Sequence, residues 1–287
     1  MTEHDSASAA PQPSPAAAPT TVPPMPTPGP RRTSWSDYEW QLVHEGPQPP
    51  ALHMALDAVI TDEVGAGRRP PTLRIWEWSA SAVVIGRFQS LKNEVDMQAA
   101  REHGVTVVRR VSGGGAMFVE PGNTITYSLS VPQALVHGMS FQESYEFLDA
   151  WVIRALHDLG IKAWYQPLND IASEGGKIGG AAQARRGGAV LHHVTMSYDI
   201  DAEKMVQVLR IGREKLSDKG TTSAKKRVDP LRSQTGLARQ AIIGRMLETF
   251  SGMCLLAPGT LGAATLEAAQ RQADEKFSSE AWTAMVP

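Results

Sequence analysis

Arg109-Arg110-Val111-Ser112-Gly113-Gly114-Gly115-Ala116 brings two arginines, a hydroxyl and three consecutive glycines together. Consecutive glycines let a backbone approach a ligand closely, adopt φ > 0 without steric cost, and turn N–H groups toward phosphate or carboxylate oxygens. The arginines add fixed positive charge and bidentate donors suited to an anion. The same residues also describe a flexible surface turn with solvated arginines. Their spacing matches neither a G-x-x-x-x-G-K phosphate loop nor a G-x-G-x-x-G dinucleotide fingerprint. A second cluster, Asn169-Asp170-Ile171 and then Lys177-Ile178-Gly179-Gly180-Ala181-Ala182-Gln183, sets a lysine beside paired small residues, where an ammonium could stand in a cleft without bulky walls. A lone lysine is usually a solvated surface charge. His192 and His193 are strand neighbours and so face opposite sides of a sheet, which makes them a poor metal pair. One fits a core or hydrogen-bonded position; the other can line a cleft.

The elements that must position these clusters follow from apolar spacing. Leu52, Leu56, Val59 and Ile60 predict a helix over Pro50 to Glu63, stopped by Gly65 and Gly67. Thr72 to Trp78 and Ala82 to Gly86 read as strands, and a helix from Asn93 to His103, capped by Asn93, precedes a strand from Val105 to Arg110. The glycine cluster therefore sits in a strand-to-strand loop. Thr124 to Val131 alternates apolar and polar residues, as a half-buried strand does. Ser140 and Glu143 form a capping box that opens a long amphipathic helix ended by Gly160. Ile178 to Arg185 and Val190 to Ile200 make a hairpin through Gly187-Gly188, and helices are expected near Ala202–Leu209, Ala238–Phe250 and Ala263–Phe277. The pattern is α+β: a mixed, largely antiparallel sheet flanked by helices.

Composition narrows the function classes. The chain has 287 residues and a net charge of −2, a balance that excludes a broad nucleic-acid-binding surface. No apolar run approaches the ~18 residues of a membrane span, and the N-terminus lacks the charged start and apolar run of a secretory signal, so a cytoplasmic protein without a membrane role is expected. The single cysteine, Cys254, allows no internal disulfide and reads as a small core residue. Nine of 20 prolines fall in residues 1–30, so residues 1–33 are expected to be a disordered Pro/Ala-rich tail and residues 34–287 one catalytic domain.

Taken in order, Arg109-Arg110-x-Ser112-Gly113-Gly114-Gly115-Ala116, Gly122-Asn123, Asn169-Asp170, Lys177-Ile178-Gly179-Gly180-x-x-Gln183 and Leu191-His192-His193 resemble the lipoate–protein ligase A family, within the biotin/lipoate A/B protein ligase superfamily. The likeness continues through Lys215 to Ser223, ends in Arg227-Val228, and covers roughly Trp35 to Pro287. It implies a fold like that of class II aminoacyl-tRNA synthetases and biotin ligases. It also implies ATP and Mg²⁺ as cofactors and lipoate as substrate: lipoate would be activated as lipoyl-AMP and passed to a lysine of a lipoyl-carrier domain, such as the E2 subunit of 2-oxoacid dehydrogenases or the glycine-cleavage H protein. Lys177 would be the catalytic residue, its ammonium between carboxylate and α-phosphate, contributing roughly 3–4 kcal/mol. Arg110, Ser112, Gly113, Gly114, Gly115, Ala116, Asn123, Asn169, Asp170, Gly179, Gly180 and His193 would bind substrate and adenylate, and Asp170 would meet the metal. Val84, Ile85, Val111 and Phe118 are candidates for an apolar tunnel.

Two departures stand out. The family usually shows His-Asp after the glycine loop, where this chain has Val119-Glu120. Bacterial ligases of the family also commonly carry a C-terminal accessory domain, so the chain either works with a separate accessory protein or substitutes something for that domain. The alternative is an ATP-independent transferase moving octanoyl or lipoyl groups between carrier proteins. Several such relatives use a cysteine nucleophile, for which Cys254 is the one candidate. A non-catalytic lipoate- or carrier-binding protein is a third reading. Lys219, Lys225, Lys226 and Arg227 could meet an acidic carrier domain or simply be solvated.

Overall fold

The run containing Leu52, Leu56, Val59 and Ile60 forms helix α1 (Pro50–Gly65), and almost all of it is buried, from Leu52 without a break to Thr61. A helix enclosed on every side must lie between layers. The computed structural model describes residue 1 and residues 32–210 and 228–287. Its strands are β1 (Glu39–His44), β2 (Thr72–Trp76), β3 (Ala82–Ile85), β4 (Thr106–Arg109), β5 (Met117–Val119), β6 (Thr124–Pro132), β7 (Trp164–Gln166), β8 (Asp170–Ser173), β9 (Gly176–Arg186), β10 (Ala189–Ser197) and β11 (Leu255–Gly259). The further helices are α2 (Leu91–Glu94), α3 (Met97–Glu102), α4 (Phe141–Asp158), α5 (Ala202–Val208), α6 (Leu231–Thr235), α7 (Arg239–Ser251), α8 (Ala263–Gln272) and α9 (Glu280–Thr283).

An eight-stranded sheet runs in the order β11-β1-β2-β6-β10-β9-β8-β7. Its first three strands are mutually parallel and every later pairing is antiparallel. A smaller sheet has the order β4-β3-β5. One face of the large sheet packs Leu73, Ile75, Ile125, Tyr127 and Leu129 against Leu148, Trp151 and Val152 of α4 and Ile242, Met246 and Phe250 of α7. The other packs Trp76 and Ala189 against α1, with Val84 and Val119 of the small sheet and Ala269 of α8 closing the layer beyond. This is the mixed sheet flanked by helices that the pattern implies.

Two local expectations are corrected. The strand read as half-buried, β6, is covered on both faces, because α1 satisfies its polar side: Ser128 donates to Asp57 (2.8 Å) and Thr61 bonds Ser130 (2.8 Å). The helix expected over Asn93 to His103 is two short helices. Ser90 caps the first and Asp96 the second, its carboxylate accepting from Ala99 N (3.1 Å), while Val95 between them is extended and bridges Leu209. Of the expected tail, only residues 1, 32 and 33 are described. The Lys215 to Ser223 segment, with Lys219, Lys225, Lys226 and Arg227, lies outside the described residues.

Candidate active site

Arg110 leaves the end of β4 and is buried, which draws its pKa down to about 10. A buried guanidinium needs acceptors, and the glycine loop supplies them. Arg110 donates from Nε to Ser112 Oγ (3.0 Å) and Gly113 O (3.1 Å), from Nη1 to Val84 O (3.2 Å), and from Nη2 to the carbonyls of Gly113 and Gly115 (2.8 Å to the latter). In a planar trans peptide the N–H points opposite to the C=O. Holding the carbonyls of Gly113 and Gly115 inward therefore turns the amides of Gly114 and Ala116 away from Arg110, on a loop whose Gly114 and Gly115 are exposed. Gly114 has φ +85°, open to glycine without strain. Its carbonyl lies where a side chain on Gly86 would stand, so the loop seats against a bare backbone.

Arg109 is also buried, but it faces elsewhere. Its guanidinium reaches the carbonyls of Gly86, Arg87, Gln89, Trp282, Thr283 and Val286, and Trp282 Nε1 returns a bond to Arg109 O (2.8 Å). Both arginines, read from sequence as donors to an anion, are thus engaged by protein carbonyls. Arg109 ties the C-terminal segment to the strand that carries the loop, and Arg110 shapes the loop itself.

Lys177 stands on β9 with Nζ 2.6 Å from Asp170 Oδ1 on β8, and its side chain remains 47% exposed. Gly180, paired with Asp170 across the two strands, leaves room for this contact: a Cβ there would lie 3.0 Å from Lys177 Nζ. A Cβ on Gly114 would lie 3.6 Å from that of Ala182, two residues farther along β9. The glycine loop and the Lys177 ammonium therefore sit over neighbouring same-face positions of one strand, about 7 Å apart. Gly179 serves packing, since a Cβ there would meet Met196 and Thr195 of β10 at 2.8 Å. Asn169 is held on β9 by its Nδ2 bond to Ala181 O (2.6 Å).

His193 and Ala182 are register partners, so His193 faces the same side. Its Nε2 bonds Ser112 Oγ (2.7 Å) and its Nδ1 bonds Asp57 Oδ2 (2.7 Å) on α1. Asp57 also accepts from Arg74 Nη2 (2.6 Å) and Ser128 Oγ (2.8 Å). Burial alone would raise the Asp57 pKa, but Arg74 and His193 outweigh it and hold the carboxylate ionised. Burial lowers the His193 pKa in spite of Asp57, leaving a neutral imidazole. His192 turns to the opposite face and bonds Asp149 of α4 (2.7 Å).

Other candidates are placed apart from this constellation. Asn123 spends its side chain on a turn, accepting from Glu120 N (2.7 Å), and Glu120 pairs with Lys204 (2.6 Å). The four tunnel candidates divide between two layers: Val84 and Val111 face α1, while Ile85 and Phe118 pack with Val95 and Val208 on the far side of the small sheet. They do not line a common tunnel, because neighbours on a strand point to opposite faces. Asp170 is engaged by Lys177, and among the described residues no three His, Cys, Asp or Glu side chains could hold a metal ion together. Cys254 is buried beside Phe250 in the layer of α4 and α7, where desolvation pushes its thiol up to about 11. Sequence reasoning missed Asp57 and Gly86; an aspartate inside the apolar run Leu52 to Ile60 was the available sign of a buried polar partner.

Among the described residues no helix is long and apolar enough to cross a membrane. A family model described as the lipoyl protein ligase A/B catalytic domain matches residues 49–251. A Geobacillus kaustophilus protein named octanoyltransferase LipM is 27% identical over 273 residues, covering 85% of this chain and 97% of the relative. A Mycoplasma pneumoniae protein named "Probable lipoate-protein ligase A" is 28% identical over 234 residues, 81% of this chain and 68% of the relative. Among solved structures, a bi-partite lipoate protein ligase from Thermoplasma acidophilum, described with its E2 lipoyl domain, superimposes with a TM-score of 0.77 at 26% identity, over 87% of this chain and 97% of that one.

Proposed function

The chain belongs to the family of lipoyl protein ligase A/B catalytic domains, and on that footing we propose that its cleft transfers an octanoyl or lipoyl group from a carrier-bound thioester to a lysine of a lipoyl-carrier domain. The observation that carries this reading is that the Lys177 ammonium and the glycine loop stand over one stretch of β9. Acyl transfer to an amine builds negative charge on the carbonyl oxygen, and donors already aimed at that position stabilise it without reorganisation. Lys177, held by Asp170, and the amides of Gly114 and Ala116 are donors of this kind. The amine attacks the carbonyl carbon, the C–S bond breaks, and the amine's proton ends on the departing sulfur. Transfer is direct on this reading: Cys254, the single cysteine, lies buried in the layer of α4 and α7 with a thiol too basic to act as a thiolate. The donor class is supported by relatives named octanoyltransferase.

A second reading, ATP-dependent ligation of free lipoate through lipoyl-AMP, is favoured by the likeness to the bi-partite ligase and by the lack of a thiol in the cleft. The same amides would then face phosphate oxygens, and Lys177 would offset the repulsion between carboxylate and α-phosphate. The carrier partners proposed are the E2 lipoyl domain and the glycine-cleavage H protein, with a separate accessory protein needed only if the single chain fails.

The test is the intact mass of a lipoyl-carrier domain incubated with this chain and either octanoyl-loaded acyl-carrier protein without ATP, or free lipoate with ATP and Mg²⁺. An octanoyl gain in the first mixture that disappears with Lys177→Ala supports transfer. A gain confined to the second supports ligation, and no gain in either, with or without a candidate accessory protein, overturns both.

A further inference from the structure

We propose that Asp57 and His193 are positioning residues for this cleft: through Ser112 they set how Arg110 is held, and Arg110 sets the aim of the glycine-loop amides. Three separate elements meet in one line of hydrogen bonds, from Asp57 on α1 through His193 on β10 to Ser112 and Arg110 of the glycine loop that follows β4. All four side chains are buried.

With a neutral imidazole, each bond takes one direction. Asp57 is a carboxylate, accepting from Arg74 and Ser128 on one oxygen and from His193 on the other, so the imidazole proton lies on Nδ1. Nε2 is left with its lone pair and accepts the Ser112 hydroxyl proton. The Ser112 oxygen then presents lone pairs to Arg110 Nε, which can only donate. Reversing the imidazole would set two donors against the serine oxygen and leave its own proton unsatisfied in a buried site. With Arg74 behind Asp57 and Arg110 at the far end, cations at both ends enforce this polarity. The consequence reaches the cleft, because the same guanidinium holds Gly113 O and Gly115 O inward.

The Ser112–His193–Asp57 distances match those of a hydrolytic triad, but the serine is not placed as a nucleophile. It is 1% exposed, and its oxygen is already engaged by Arg110, so an acyl carbon has no approach to it. The chain of bonds acts on the loop.

The kinetic consequence rests on the acyl-transfer reading, and the structural consequence does not. Ser112→Ala, His193→Gln and the double variant are compared in two measurements: steady-state transfer to a lipoyl-carrier domain, and amide hydrogen exchange across residues 112–116. In each single variant kcat should fall on the order of 10–100-fold with KM for the carrier domain unchanged. The double variant should lose no more than either single one, because one link is broken in all three. Exchange in the loop should accelerate alike, with exchange in α4 unaltered. Ser112→Ala removes a single oxygen and carries the test should His193→Gln fail to fold. Additive losses, a loss confined to Ser112→Ala, unaltered loop exchange, or an acyl adduct on Ser112 would each overturn the proposal. If the wild-type chain transfers no acyl group, the acyl-transfer reading fails and loop exchange alone decides the positioning role.

Discussion

Replacing Gly86 with alanine should disable the cleft while leaving the fold intact. Gly86 follows β3, outside the left-handed region, so alanine can adopt its backbone. What it cannot do is share space with the loop: a methyl at Gly86 lands on the Gly114 carbonyl oxygen, with the carbonyl carbons of Gly113 and Gly114 at 3.2 Å. The obstacle is backbone on both sides, so the loop must retreat, and restoring ordinary contact requires a shift of roughly 1 Å, enough to cost on the order of 10²-fold in rate when catalytic donors move with it. That corresponds to about 2.7 kcal/mol in the barrier. Gly244→Ala is the matched control: it lies in helix α7, and its methyl would meet nothing within 4 Å. The assay is acyl transfer to a lipoyl-carrier domain, with melting temperature measured in parallel. A Gly86→Ala protein with wild-type kcat, or one whose loss only tracks a lowered melting temperature, would refute the inference that the loop's seat on Gly86 aims its amides.

Arg109→Lys should destabilise the chain by about 2–4 kcal/mol and loosen the C-terminal segment, since three ammonium donors cannot serve the six carbonyls the guanidinium reaches; limited proteolysis near Trp282 and denaturant melts check this. Cys254→Ala should leave transfer unchanged, and the wild-type thiol should resist iodoacetamide at neutral pH, because burial holds it at about 11. Stability should fall in mild acid. Burial, then the Arg74 guanidinium, lowers His53 from 6.5 to about 3, so its contribution is complete above pH 6.5 and is lost as pH falls toward 3, at about 1.4 kcal/mol per pH unit. Glu77, which burial would raise but which His44 and Arg239 hold at about 2, adds a second loss between its ordinary 4.5 and 2. Melting temperatures from pH 8 to 4 should decline less steeply in His53→Gln than in the wild type; equal slopes would remove His53 from this account.

The chain's local chemistry determines much of what the structure contains. Ser140 and Glu143 open α4 because both partners of that capping box lie within one turn, and Gly187-Gly188 turns the β9–β10 hairpin because only neighbouring residues are needed to build it. The alternation of His192 and His193 across the sheet follows from strand geometry alone. The family resemblance was legible for the same reason, since ordered short motifs survive as text. What Arg109 does is not legible: an arginine beside glycines reads as an anion donor until the carbonyls that surround it are known, and those of Trp282 and Val286 lie more than 170 residues away. The division of Val84 from Ile85 between two layers, the cover on the polar face of β6, and the link from Asp57 to Ser112 depend likewise on which elements pack together. Hydrogen bonding within a turn or a hairpin is settled by neighbours in sequence. The direction in which a buried charge is satisfied is settled by whatever long-range packing brings within 3 Å of it, and that is a property of the tertiary structure.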